Sequence, residues 1–332
     1  LRRGRLGPLS GARGRVSREM ARPDVAVVGA GVIGLTTAVC LAERGRSVLV
    51  VSRDQPLATT SAVASAMVGP WFGPDGDPLV ARARAEAEEF TALAGTAGTG
   101  VYLRRGRLVS RTEDPPPPGR EPCASGDLPD GFGSGFWARL PLVDMPVYLD
   151  YLTRRLAAAG GRIEAAELGT LAEAAALAPL VANCSGLGAR DLVPDASVSA
   201  VRGQHVIVDN PGLEEFFIEE PFGRTWVAYW PYPDHVVLGG IRFPGDENIE
   251  PDPAVAAEIL DRCVQVEPRL RGVRVRGHQT GLRPARPAVR LEAEDVDGTR
   301  VVHSYGHGGN GVMLSWGCAR EASDLLLGPA GS

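Results

Sequence analysis

Hydrophobic and polar positions are arranged in two different ways along this chain, and the change divides it. Near the N-terminus apolar residues come in short unbroken runs. Residues 25–28 (VAVV) form one, and a strand apolar on both faces belongs in the interior of a parallel sheet. Residues 35–45 (LTTAVCLAERG) then predict a helix and residues 47–51 (SVLVV) a second strand. Residues 79–95 place their apolar side chains on the helical period. A further helix over 148–160 stops at Gly160 and Gly161, and 180–186 (LVANCSG) is another apolar strand running into a glycine turn.

Beyond residue 200 the pattern shortens. Residues 203–209, 214–219, 225–230 and 235–242 are brief β-branched or aromatic runs between prolines and glycines, which predicts antiparallel strands of a second sheet. A helix over 253–263 and an Arg- and Pro-punctuated strand over 273–291 follow. The end, 301–314, predicts a strand, a glycine loop and a helix reaching Leu327. Residues 104–135, with four consecutive prolines at 115–118, read as a surface excursion.

Gly29, Gly31 and Gly34 make G-x-G-x-x-G between the first strand and its helix. Each glycine has a distinct role there. The first allows a tight turn, the second leaves room for a pyrophosphate, and the third permits close helix–strand packing. The phosphates would sit on the free N–H groups of the helix end, so the segment predicts a bound dinucleotide. Ser52 stands where an acidic residue would hold a ribose, with Arg53 and Asp54 beyond it. Arg53 suits a phosphate or an adenine, or else a solvated turn. The hydroxyl-rich loop 59–65 offers further phosphate donors, followed by small residues that admit a flat ring; a plain nicotinamide site needs no such loop.

Composition narrows the reading. The chain has 332 residues, enough for two domains, and a net charge of −5 gives no electrostatic case for nucleic acid. All basic residues except histidine are arginine, a bias associated with GC-rich bacterial coding sequences. Five scattered cysteines without metal spacing suit thiols in a reducing bacterial cytoplasm, and no metal site is expected. No apolar run is long enough to span a membrane. Residues 1–19, rich in Arg and Gly, read as a disordered extension ahead of Met20, with a transit peptide as the lesser reading.

Taken together, VVGAGVIGL, the TTS loop, NCSGLGARDL, Arg202–Gln204, VVLGG, GLRPARPAVRLE and HSYGHGGNGVMLSWGCA resemble the D-amino-acid oxidase and D-aspartate oxidase family over residues 23–327. The resemblance implies an α/β fold, with a Rossmann-like doubly wound FAD-binding sheet and a second, mostly antiparallel substrate sheet. Residues 23–80, 140–200 and 285–327 would form the interleaved FAD domain, and 81–139 with 201–284 the substrate and interface domain.

The same resemblance implies where FAD lies. Its pyrophosphate would rest on Gly29, Gly31, Val32, Ile33 and Gly34, and its outer phosphate and ribose near Arg53, Thr59 and Thr60. Its isoalloxazine would lie along Ser65, Ala66 and Met67 and the turn of Gly306, Gly308, Gly309, Gly311, Val312 and Met313, with Leu168 and Gly186 beside the cofactor. Arg283 would clamp the substrate carboxylate, a role suited to a planar guanidinium, with Arg286 as runner-up on the opposite strand face. The Gly309 carbonyl would accept from the substrate amino group. Tyr229 is the candidate for a hydroxyl bond to the carboxylate, but the register leaves Trp230 and Tyr232 open.

The implied reaction is oxidative deamination of a D-amino acid, with dioxygen as acceptor and no acid–base side chain. The dipole of a helix starting near Gly311 would stabilise the reduced flavin. His303 and His307 read as packing residues, and His205 and His235 as strand residues. Arg242, helped by Arg224, would meet a second carboxylate on D-aspartate or D-glutamate if it faces the site; Met67, Val68 and Met313 argue for apolar walls instead. A glycine- or sarcosine-type flavin amine oxidase and a flavin protein without turnover are the competing readings, and a homodimer is left open.

Overall fold

The computed structural model describes residues 22–69 and 78–328, with side chains described outside 78–85. The readings of residues 1–19 and Met20 lie outside this range. The chain opens with β1 (Val25–Val28), α1 (Val32–Glu43) and β2 (Val48–Ser52), the unit the first glycine turn predicts. β3 (Ala66–Met67), α2 (Pro78–Ala94), β4 (Val101–Ser110), β5 (Glu121–Pro122) and β6 (Ser134–Val143) follow. Next come α3 (Met145–Ala158), β7 (Arg162–Ala165), α4 (Leu171–Leu177), β8 (Leu180–Asn183) and α5 (Ala189–Leu192). β9 (Ser199–Asp209), β10 (Phe216–Glu219), β11 (Thr225–Pro231), β12 (His235–Ile241) and β13 (Phe243–Pro244) make the middle of the chain. α6 (Pro253–Val266), β14 (Val275–Val296), β15 (Thr299–His307) and α7 (Ser315–Leu327) complete it.

β1 is buried throughout and hydrogen-bonds in parallel to β2 and β8; β15 adds itself in parallel beyond β8. The helices α1, α3 and α7 cover one face of this layer, around Val27, Leu35, Leu41, Tyr148 and Trp316. The second lobe is antiparallel in β9, β11, β12 and β14, and α6 packs on one of its faces against Val206, Val208, Tyr229 and Leu238.

The fold class is as read, and two details of its layout differ. The parallel and antiparallel parts are joined edge to edge in one continuous strand order. β14 is 22 residues long: its first half pairs with β9 and its second with β15, and Ala285 is the residue at which the partner changes. A strand of that length, at roughly 3.3 Å per residue, reaches across both lobes. The excursion also proves shorter than 104–135, because its two arms are the paired strands β4 and β6 and only the tip is irregular. Arginines at 104, 105 and 107 hid the first arm from a hydrophobicity reading; two of them lie over the Trp137 ring instead, Arg105 3.6 Å from its centre.

The last helix differs too. α7 begins at Ser315, four residues after Gly311, and its first N–H groups are already taken. The buried carboxylate of Glu86 on α2 accepts from Trp316 N–H, at 3.1 Å, and from Gly317 N–H. The dipole of α7 is therefore answered by Glu86 rather than left free for a ligand. Replacing Glu86 by alanine leaves the buried Trp316 N–H and the half-buried Gly317 N–H unpaired and is expected to cost about 2 kcal/mol of stability, measurable by thermal denaturation. A melting temperature equal to wild type would show the cap to be dispensable.

Candidate functional site

The first glycine turn is built as its sequence requires. Gly29 has φ +107°, and a Cβ there would stand 2.5 Å from the Cys184 carbonyl oxygen. At Gly34 a Cβ would overlap the carbonyl of Gly29 itself. Gly31 lies beside Ser61, whose hydroxyl accepts the Val32 N–H at 3.0 Å. The loop that follows β2 thus folds back onto the N-terminus of α1. Ser185, next to Gly29, has a buried hydroxyl without a partner among the described residues. Arg53 lies at the exposed end of β2, paired with Asp54 at 2.8 Å, and Leu168 follows β7 nearby.

The same loop then docks on the antiparallel lobe, and glycines make room for it. Four of them form a floor. A Cβ on Gly281 would meet Val63 at 2.7 Å, and one on Gly239 would meet the Trp230 ring at 3.0 Å. One on Gly240 would run into the Trp226 ring, and one on Gly203 into the Arg283 guanidinium. Without side chains at these positions, Val63, Trp230, Trp226 and Arg283 lie flat on the sheet. Sequence reading singled out VVLGG but not its purpose.

Arg283 is the chemical centre of this floor. Its guanidinium is largely buried, and its Nη1 has no hydrogen-bond partner among the described residues. Burial, and then the charge of Arg242, hold its pKa below the usual guanidinium value. A buried cation without a counter-charge is a costly arrangement that an anionic ligand relieves. Gly309 lies against it: a Cβ there would be 3.7 Å from Arg283 Cδ. Arg286 turns away, pairing with Asp195 at 3.0 Å and covering Gly306. Strand alternation separates the two arginines as predicted.

The aromatic candidate changes. Tyr229 points to the α6 face, stacks on Phe217 with ring centres 5.6 Å apart, and is buried in that cluster. It does not share a face with Arg283, because alternation along β11 sends residues 226, 228 and 230 the other way. Tyr232 is occupied, donating to the Val143 carbonyl at 2.9 Å. Trp226 and Trp230 are the aromatic residues of β11 on the correct face, and their indole N–H groups are buried without partners among the described residues. Val68 and Met313 belong to the core beneath α1, whereas Met67 packs toward the substrate lobe.

Arg242 is exposed at the end of β12 and donates to the Phe222 carbonyl at 2.9 Å, on the side from which its charge reaches Arg283. Arg224 lies over the Phe243 ring. His303 is held between Asn183, 3.0 Å from its Nδ1, and Glu294, 3.0 Å from its Nε2, as a packing residue. His235 pairs with Asp234 at the start of β12. His205 is the residue that sequence reading passed over. It is buried against Trp230, and its two ring nitrogens meet Ser65 and Val63. Only the alternation of β9 over Gly203 would have signalled its face.

These residues fit the cofactor that the sequence implies. The glycine turn and Ser185 offer room and unpaired polar groups for a diphosphate. In the turn before α7, the N–H groups of Val312 and Met313 donate to no backbone carbonyl among the described residues, and both residues share a core cluster with Ala66, a place for the polar edge of a flavin.

Comparison with known proteins identifies the family. Residues 24–325 match a family model described as DAO, FAD-dependent oxidoreductase. The chain is 46% identical to a D-amino-acid oxidase of Rubrobacter xylanophilus over 327 residues, covering 96% of this chain and 98% of that protein. It is 36% identical to human D-aspartate oxidase, covering 91% and 94%. Among solved structures, glycine oxidase of Geobacillus kaustophilus superposes with a TM-score of 0.79 at 20% identity, covering 92% and 95%, which speaks for the fold.

Proposed function

The chain belongs to the DAO family of FAD-dependent oxidoreductases, and from that footing we propose that Arg283 and Gly309 hold a D-amino acid whose side chain extends toward Arg242. The reaction is oxidative deamination: a D-amino acid, dioxygen and water give a 2-oxo acid, ammonia and hydrogen peroxide. Bound FAD would supply the acceptor for hydride from the substrate Cα and the route of those electrons to dioxygen. Everything asked of the protein is orientation. Arg283 takes the carboxylate through two parallel charge-assisted bonds, the Gly309 carbonyl accepts from the amino group, and the Cα–H is thereby aimed at the ring. The single observation that carries this reading is the buried, unpartnered Arg283 Nη1 next to Gly309.

The residues we assign to FAD are those of the first glycine turn, Arg53, Thr59, Thr60, Ser65 to Met67, Leu168, Gly186 and the turn 306–313. The change of partner along β14 at Ala285 supports dividing the chain into the two interleaved lobes read from the sequence.

Around the substrate side chain the groups are donors: Arg242 and the unpaired indole N–H groups of Trp226 and Trp230. Such a lining suits a second carboxylate, so we assign D-aspartate and D-glutamate as good substrates. Because Arg242 is exposed before substrate arrives, Arg242→Ala is expected to lower the ratio of kcat/KM for D-aspartate over D-alanine by about 1 kcal/mol, roughly fivefold. That contribution should shrink in high salt, as it does for any exposed ion pair. An unchanged ratio at low salt would show that Arg242 meets no substrate carboxylate and leave an oxidase of neutral D-amino acids.

A further inference from the structure

The polar contacts of His205 are fully determined by its neighbours. A backbone carbonyl only accepts, so the Nδ1 that lies 3.1 Å from the Val63 oxygen carries the ring proton. Burial and the nearby Arg283 guanidinium hold the imidazole neutral, with its pKa lowered to about 4. The Nε2 is therefore an acceptor, and the Ser65 hydroxyl 3.1 Å away donates to it. One side chain on the substrate sheet thus takes hold of two points on the loop that leads into β3.

Nothing else polar ties that stretch of loop to the sheet among the described residues: Val63 rests on Gly281 and Ala62 and Ala64 pack through methyl groups. Trp230 and Gly239 close around the ring from the other side, Trp230 edge-on at 6.1 Å between centres and Gly239 beneath it. The ring thus holds the loop while lying within electrostatic reach of the Arg283 clamp.

We propose that His205 is a positioning residue for this oxidase: acting through Ser65 and Val63, it sets the distance between the flavin-facing loop and the substrate held by Arg283. The inference rests on the family's FAD chemistry and on the loop's place beside the cofactor, and is independent of whether acidic substrates are preferred. Since Arg283 keeps its own seat on Gly203, losing His205 disturbs the reacting distance and the cofactor more than the grip on the carboxylate.

The test uses FAD-loaded protein and D-alanine, whose turnover does not depend on Arg242. His205→Phe keeps a ring against Trp230 but removes both polar atoms. It is expected to weaken FAD binding and to lower kcat about tenfold each, with KM within about threefold of wild type. His205→Gln offers an amide N–H to Val63 and an oxygen to Ser65, and is expected to recover most of both losses. Ser65→Ala removes one of the two bonds without touching the sheet, and should move FAD affinity and kcat in the same direction by less. If His205→Phe fails to fold, Ser65→Ala and His205→Gln decide. Wild-type FAD affinity and kcat in Ser65→Ala would overturn the proposal, as would a His205→Phe effect confined to KM or a His205→Gln variant no better than His205→Phe.

Discussion

Arg283→Ala is expected to weaken binding of D-amino acids and of carboxylate inhibitors by about 4 kcal/mol, roughly a thousandfold, while FAD stays bound. The size follows from the environment. The guanidinium is already desolvated and its Nη1 lacks a partner, so the cost of burial has been met before substrate arrives. Its full charge-assisted bonding is then available to a carboxylate. Arg283→Lys should recover part of the loss, because a point charge replaces a two-pronged donor. Titration of the flavin spectrum with an aromatic carboxylate measures the affinity directly. Arg286→Ala is the control: its guanidinium is committed to Asp195 at 3.0 Å, so it should alter thermal stability more than KM. If the two variants exchange these behaviours, the clamp has been assigned to the wrong arginine.

Gly34→Ala is expected to cost about 3 kcal/mol or more of stability and to abolish tight FAD binding. A Cβ at this position falls inside the carbonyl oxygen of Gly29 and 2.9 Å from its carbon. Both atoms are backbone of the turn, so neither can rotate out of the way. The helix would have to lift from β1, and the buried packing of Leu35 and Val39 would go with it. Gly31→Ala makes the informative contrast. Its Cβ would meet only the Ser61 hydroxyl at 3.1 Å, the end of a side chain that can turn. Thermal melting of the FAD-free proteins should therefore separate them, with Gly31→Ala near wild type. Equal melting temperatures for Gly34→Ala and wild type would contradict the packing described for this turn.

The local reading succeeded where one short segment carries its own physics. VAVVGAGVIG is a strand, a turn and a helix start within ten residues, and Gly29 and Gly34 are required by backbone contacts inside that unit or just beside it. The RPxRP segment is similar: alternation along one extended strand is enough to put Arg283 and Arg286 on opposite faces, wherever the strand lies. The order of elements was also legible, because apolar runs and helical periods are properties of neighbouring residues.

What escaped was everything that depends on which strand lies beside which. One residue of register decides whether Tyr229 or Trp230 faces Arg283, and only the pairing of β11 with β12 sets it. β14 joins both lobes into one sheet because its two halves find different partners, which its arginines and prolines do not announce. The α7 dipole is met by Glu86, 230 residues earlier in the chain from Trp316. His205 looked like any residue of a strand until Ser65 and Val63 were brought onto its ring from a loop 140 residues away. Periodicity reports what a segment prefers to bury. Which charges and hydrogen-bonding atoms meet there is a long-range outcome, decided by tertiary packing.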